Sequence, residues 1–308
     1  MSGPTDTASH LRHVVEAGQF ALTAETTPRP STDIGQALAR VLPLKGLADA
    51  VNVTDGAGAK AHLSSLVVAG AMAEAGIAPI LQFTCRDRNR IALQGDILGA
   101  AALGIGNVLC LSGDPVEVGD EKDAKPVFDL DSVGLVTLIH RMGLEGKLSS
   151  GREINGPPQL FIGVADSPID PQPGWRPEGL LRKLDAGGQF VQTQYCFDMA
   201  VCRRYLAGLA DHGVTERAAV LIGIGPLASA RQARWMDENL PGVNVPAGLI
   251  ARLEAADDER TEGRRICAEL LQQLREIPHI GGAHLMAPGQ EAGIAEVIAA
   301  SGILLTRE

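Results

Sequence analysis

Short apolar runs recur along the chain, each closed by a small, polar or acidic turn and followed by a stretch with apolar residues three and four positions apart. Val108, Leu109 and Leu111 make one such run, and Ser112-Gly113-Asp114-Pro115 ends it with turn-forming residues. The same layout predicts strands over Phe20–Thr26, Ala50–Thr54, Ala78–Thr84, Asn107–Leu111, Leu160–Ala165, Phe190–Cys196, Ala219–Ile224 and Gly282–Met286. Helical spacing fills the intervals, for example Ile34–Leu42, Ser64–Ala75, Ile91–Leu103, Val133–Met142, Leu180–Ala186 and Ile266–Leu274.

Eight strands alternating with helices predict an α/β fold, a (β/α)8 TIM barrel. The competing doubly wound sheet would carry a glycine-rich phosphate turn after its first strand. Glu25-Thr26-Thr27-Pro28-Arg29-Pro30 stands there instead, and Gly223-Ile224-Gly225-Pro226 lacks the third glycine of that fingerprint. At 308 residues the chain is expected to be one catalytic barrel over residues 1–308, with residues 1–18 a polar N-terminal extension or helix. Two segments interrupt the alternation. Pro115–Leu130 is rich in acids and reads as a flexible loop after the fourth strand and a lid candidate, with a plain solvated loop as its alternative. Gly143–Pro158 reads as a connection into the fifth strand.

Charge narrows the function. A formal net charge of -10 and a pI near 5.2 argue against nucleic-acid or anionic-membrane partners, which need clustered Lys and Arg. Met1–His10 lacks the basic and apolar regions of a signal peptide, and every apolar stretch is interrupted well short of the ~20 residues a membrane span needs. A cytoplasmic location is expected. Cys85, Cys110, Cys196, Cys202 and Cys267 form no CxxC pair, so reduced thiols are expected rather than a zinc site or a disulfide framework.

In a barrel of this kind the chemistry sits on the loops after the strands. Those ends carry Glu25, Thr54-Asp55, Gln82, Thr84 with Arg86 beyond, Asp114, Asp166 with Asp170 further on, and Gln194. Gly225-Pro226-Leu227 and the stretch His284 to Gln290 close the set. Carboxylates, amides and hydroxyls of this kind suit hydrogen bonding to a planar heterocycle together with acid–base work. Each has a plainer reading: an acid after a strand is commonly a turn former or helix cap, and Gln194 is also placed to satisfy neighbouring backbone.

Six phrases in order carry a resemblance to a known family: Ala24-Glu25-Thr26-Thr27-Pro28, Val51-Asn52-Val53-Thr54-Asp55-Gly56-Ala57, Gln82-Phe83-Thr84-Cys85-Arg86-Asp87, Leu111-Ser112-Gly113-Asp114-Pro115, Lys183-Leu184-Asp185-Ala186-Gly187 and Gln192-Thr193-Gln194-Tyr195-Cys196-Phe197-Asp198. Over about Phe20 to Ile303 the chain resembles methylenetetrahydrofolate reductase. That family's fold is also a (β/α)8 barrel.

The resemblance implies interconversion of 5,10-methylene- and 5-methyltetrahydrofolate, with hydride from NADH or NADPH passing through bound FAD in a ping-pong order. Glu25 matches the acid that protonates N10 of the folate, which requires it to be desolvated. Asp114 matches the acid that holds the pterin near the flavin, and Gln194 the pterin-binding glutamine. Thr54, Ala57, Gln82, Ser112, Gly113, Asp114, Asp131, Ser132, Ala165, Arg182 and Lys183 occupy positions near FAD, the last two suited to its phosphates. The chain departs from the well-known bacterial pattern at three of these: Gln82 stands for a histidine, Ser112 for an arginine, and Ala165-Asp166-Ser167-Pro168-Ile169-Asp170 for a Tyr-Pro-Glu-Val-His run. The family's stacking aromatic falls near Ala230, so that contact is expected to be missing. Three alternatives stay open: direct hydride transfer without flavin, a non-catalytic folate- or flavin-binding subunit of a methyl-transfer complex, and a folate-dependent methyltransferase. By family analogy the chain is expected to be a homo-oligomer, with a methyl-transfer or electron-transfer subunit as a further partner.

Overall fold

The computed structural model describes residues 9–306. In chain order the first half contains α1 (His10–Glu16), β1 (Ala21–Thr26), α2 (Ile34–Val41), β2 (Ala50–Val53), α3 (Ser65–Glu74), β3 (Pro79–Thr84), α4 (Arg90–Ala102), β4 (Asn107–Leu111) and α5 (Ser132–Glu145). The second half contains β5 (Phe161–Asp166), α6 (Glu178–Asp185), β6 (Phe190–Tyr195), α7 (Met199–Asp211), β7 (Ala219–Ile224), α8 (Ala230–Asn239), α9 (Ala247–Glu254), α10 (Glu259–Arg275), β8 (Gly282–Leu285) and α11 (Glu291–Ser301). Each strand pairs in parallel with its sequence neighbours, and β8 pairs with β1 to close the barrel. The expected (β/α)8 architecture is therefore present, and every predicted strand end lies within one residue of the observed one.

Side chains alternate across each strand. One set, including Leu22, Val51, Phe83, Val108, Val191 and Ile222, is buried against the surrounding helices and forms the main core. The other set fills the barrel. Its lower part is apolar, with Ala21, Ile80, Leu109, Phe161, Phe190 and Leu221 packed against Leu11 and Val14 of α1. Helix α1 thus closes the N-terminal end of the barrel with its two buried side chains, while residues 1–8 of the expected extension lie outside the described residues.

Several helices begin on a side-chain cap in the loop after a strand. Asp33, Asn89, Asp131, Asp198 and Ser229 accept from backbone N–H groups in the first turns of α2, α4, α5, α7 and α8. The acidic segment after β4, expected to be flexible, is anchored. Val127 N–H donates to Arg86 O at 2.7 Å and Phe128 N–H to Cys85 O at 3.2 Å, Asp129 pairs with Arg90, and Val116 is buried. These bonds to the β3 end are tertiary, which is why local composition misreads the loop. No helix among the described residues is long and apolar enough to cross a membrane.

Candidate active site

At the C-terminal end of the strands the barrel interior opens into a cavity of about 630 Å³. Strand alternation decides what faces it. Thr23 and Glu25 on β1, Asn52 and then Thr54 from β2, Gln192 and Gln194 on β6, and His284 on β8 share the inward parity. The interior therefore changes from hydrocarbon below to hydrogen-bonding groups above. Glu25, Gln82, Asp114, Gln194 and His284 all line the cavity, so the expected acid, its electrostatic partner and the pterin glutamine are brought together.

Glu25 is recessed in the cavity, with its side chain 15% exposed. Its Oε2 accepts from Gln82 Nε2 at 3.1 Å and faces His284 Nε2 at 3.8 Å. Gln82, which departs from the family's histidine, is thereby placed as a neutral donor to the candidate acid.

Asp114 sits at the rim and is exposed. The β4 turn reaches it through Gly113, whose φ of +96° suits a residue without a side chain; a Cβ there would also press to 3.1 Å on Thr84 and Arg86. Asp114 Oδ2 accepts from Gly58 N–H at 2.8 Å. Beneath the turn, the nearly buried Arg86 guanidinium donates to the carbonyls of Gly56 at 3.1 Å and Asp114 at 3.3 Å and pairs with Asp87. The loops after β2, β3 and β4 are thus tied around one cation. Asp55 adds a second tie, accepting from Thr84 N–H at 2.8 Å and from its hydroxyl at 2.9 Å.

Gln194 is aimed by an irregularity. The β6–β7 register shifts between Gln192 and Tyr195, and Gly223 N–H donates to Thr193 Oγ1 at 2.9 Å. Bulges of this kind redirect side chains beside active sites. Gly223 makes room for it, since a Cβ would meet Thr193 O at 2.3 Å. Gln194 lines the cavity, and its Oε1 accepts from the N–H of Tyr195 at 3.0 Å.

On the opposite wall Asp166 accepts from the buried Tyr205 hydroxyl at 2.5 Å. Burial raises the Asp166 carboxyl above its ordinary range, with the Tyr205 hydrogen bond opposing. Lys183 donates to Ala165 O at 2.6 Å, and burial lowers its ammonium while Asp166 pulls the other way.

The expected flavin residues divide. Thr54, Ala57, Gln82, Ser112, Gly113, Asp114 and Ala165 line the cavity. Asp131, Ser132, Arg182 and Lys183 do not; Asp131 caps α5 through Gly134 N–H, and Arg182 is exposed on α6. The Thr54 hydroxyl is buried without a partner. A buried, unpaired hydroxyl in a ligand-sized wall is the kind of group a polar heterocycle satisfies, so the upper half of the expected set fits a flavin. Ala230 is buried. However, Trp235, one turn further along α8 and 54% exposed, lines the cavity mouth beside Gln232 and Met236. Sequence reading passed over it, although an isolated tryptophan in a chain with only two was a usable signal.

Comparison with known proteins settles the lineage. The sequence model described as methylenetetrahydrofolate reductase matches residues 10–302. The chain belongs to the methylenetetrahydrofolate reductase family. Relatives include a probable methylenetetrahydrofolate reductase (NADPH) of Caenorhabditis elegans, 24% identical over 79% of this chain and 35% of that protein. Methylenetetrahydrofolate reductase 2 of Saccharomyces cerevisiae is 23% identical over 82% of this chain and 41% of that protein. The chain thus spans well under half the length of these family members. Among solved structures, an uncharacterised Clostridium thermocellum protein that binds two copies of 5-methyl-5,6,7,8-tetrahydrofolic acid superposes with a TM-score of 0.65 at 12% identity, covering 95% of this chain and 99% of that one. DmoA from Hyphomicrobium sulfonivorans gives 0.57 at 10% identity, over 94% and 89% of the two chains. At such identities these two establish that family members share a barrel with other proteins, and nothing finer.

Proposed function

We propose that the protein is a cytoplasmic oxidoreductase that interconverts 5,10-methylenetetrahydrofolate and 5-methyltetrahydrofolate with NAD(P)H as the reductant. The observation that carries this reading is the convergence of Glu25, Asp114 and Gln194 on one cavity, in a chain of this family. Methyltetrahydrofolate binding by the Clostridium barrel supports a reduced folate as ligand.

Glu25 holds the proton that N10 of the folate needs as the imidazolidine ring opens. Asp114 supplies negative charge beside the cationic iminium so formed, an interaction that strengthens as the charge develops. Gln194 offers an amide for the pterin edge, and the Trp235 indole offers a flat face at the mouth for an aromatic ring. Thr54, Ala57, the Ser112-Gly113-Asp114 turn and Ala165 would hold FAD where it binds, and a bound flavin would supply a hydride relay between nicotinamide and folate, permitting a ping-pong order.

A second reading is favoured by a specific observation. Lys183 and Asp131 already hold internal partners, so part of the expected flavin shell is committed elsewhere, and hydride passing directly from NAD(P)H needs none of it. One pair of measurements decides. A purified protein with an absorbance band near ~450 nm, as bound flavin gives, and NAD(P)H oxidation that depends on methylenetetrahydrofolate supports the flavin route. A colourless protein with the same activity selects the direct route, and no folate-dependent oxidation by either form rejects the reductase.

A further inference from the structure

Beneath Glu25 the barrel interior holds four polar side chains, Thr23, Asn52, Gln192 and His284, none more than 3% exposed. Groups so buried need partners, and here they find each other. Asn52 Nδ2 donates to Gln192 Oε1 at 2.7 Å, and Gln192 Nε2 returns a bond to Asn52 Oδ1 at 3.0 Å. The second Gln192 amide proton points to Thr23 Oγ1 at 2.9 Å, with His284 Nδ1 at 3.3 Å. With its oxygen already accepting, the Thr23 hydroxyl has His284 Nδ1 at 3.0 Å and the Ala283 carbonyl only at 3.5 Å. Donors therefore converge on Nδ1. A ring nitrogen that accepts leaves the imidazole proton on the other nitrogen, so His284 is the Nε2–H tautomer. That N–H faces Glu25 Oε2 at 3.8 Å, beyond hydrogen-bond length here and brought within it by a small turn of the carboxylate.

We propose that His284 is a positioning residue for Glu25: the Thr23–Asn52–Gln192 network fixes its Nε2–H toward Oε2, which Gln82 also engages, so that Oε1 is left to carry the transferable proton. The proposal rests on the reading of Glu25 as the acid. When Oε1 gives its proton to the folate nitrogen, the new carboxylate meets two preorganised N–H groups, and no solvent has to reorganise. The other titratable groups around the pair are Tyr195 on β6, whose hydroxyl donates to Met286 O at 3.1 Å, and Asp55, Asp114 and Asp166 in the cavity wall.

The test separates the two nitrogens. In His284→Gln the amide nitrogen reaches the place of Nε2, whereas in His284→Asn it reaches only that of Nδ1. Losing an N–H beside a carboxylate favours its protonated form, so the Glu25 titration midpoint, followed by carboxyl ¹³C NMR, should rise by about one pH unit in His284→Asn and return in His284→Gln. The falling limb of the folate-dependent rate should move the same way. Equal behaviour of the two variants overturns the proposal. Because either variant can fail to fold, ¹⁵N NMR of the wild-type imidazole provides an independent check: Nε2–H at neutral pH supports the proposal, and Nδ1–H or an imidazolium overturns it. If the wild type reduces no folate yet Glu25 titrates as described, the positioning stands and the reductase reading falls.

Discussion

The two ends of the barrel are built from the same strands and differ in almost every physical respect. At the N-terminal end Phe161 and Phe190 stack with ring centroids 4.8 Å apart under Leu11 and Val14, and hydrocarbon fills the interior. At the C-terminal end the same strands present Glu25, Gln82, Gln194 and His284 to a cavity. Two residues along one strand separate the two regimes, since Phe190 and Gln192 share a face of β6. The lower end can bury apolar surface fully because nothing has to enter it. The upper end gives up that burial for groups that are useful only when a ligand arrives, and it is held open by loop-to-loop ties through Arg86 and Asp55 rather than by packing.

If this division is right, substitutions at the two ends should fail in different assays. The largest effect is expected from Glu25→Gln, which keeps shape and removes the transferable proton: methylenetetrahydrofolate reduction should fall by about 100-fold to 10,000-fold while the urea midpoint stays within a few tenths of a molar. Any NAD(P)H-dependent reduction of bound flavin should be nearly unchanged. Phe190→Ala should invert that pattern, costing ~3–5 kcal/mol in urea unfolding through a cavity in the lower layer, with KM for folate unchanged in the protein that remains folded. A fall in affinity there would break the comparison.

Smaller effects sharpen it. Trp235→Ala removes an exposed face at the mouth, so KM for folate should rise about 2-fold to 10-fold with kcat and stability little altered. The smallest expected effect is at Asp166. Its carboxyl is raised by burial, so the native state keeps that proton to higher pH than the unfolded chain. The resulting stabilisation is present below the ordinary aspartate value of 3.8 and is lost as pH rises through the raised one. Asp166→Asn lacks that loss, and its stability relative to wild type should increase as pH rises from the ordinary aspartate value of 3.8 through the raised one, read as denaturation midpoints across a pH series.

The barrel was legible in the sequence because short apolar runs and the turn residues that close them are local signals, and all eight strands coincide with such runs. The site was legible as far as strand ends go: Glu25 follows the alternation of β1, whereas Gln194 is turned by the irregularity in β6 and Asp114 is carried by the Gly113 turn, and all three line one cavity. What sequence could not decide was which way an acid turns after its strand. Asp131 and Asp198 turn to helix N–H groups, Asp55 to the β3 end, Asp166 to the Tyr205 hydroxyl and Asp114 to the cavity rim, from similar local sequence. That choice depends on where the next helix packs. Trp235 was missed for the same reason, since the rotation of α8 about its axis is set by tertiary contacts through Ala230, Ala233 and Met236. The anchoring of the acidic loop likewise depends on Arg86 and Cys85, distant from most of it in sequence.

Reduction of a folate one-carbon unit at the polar end of this barrel can be measured by incubating the purified protein with methylenetetrahydrofolate and NADH or NADPH and following 5-methyltetrahydrofolate by mass spectrometry, with Glu25→Gln alongside. A folate reductase using Glu25 as its acid should give stoichiometric product from the wild type and almost none from the variant. No product from the wild type with either nucleotide, or equal product from both proteins, would contradict it.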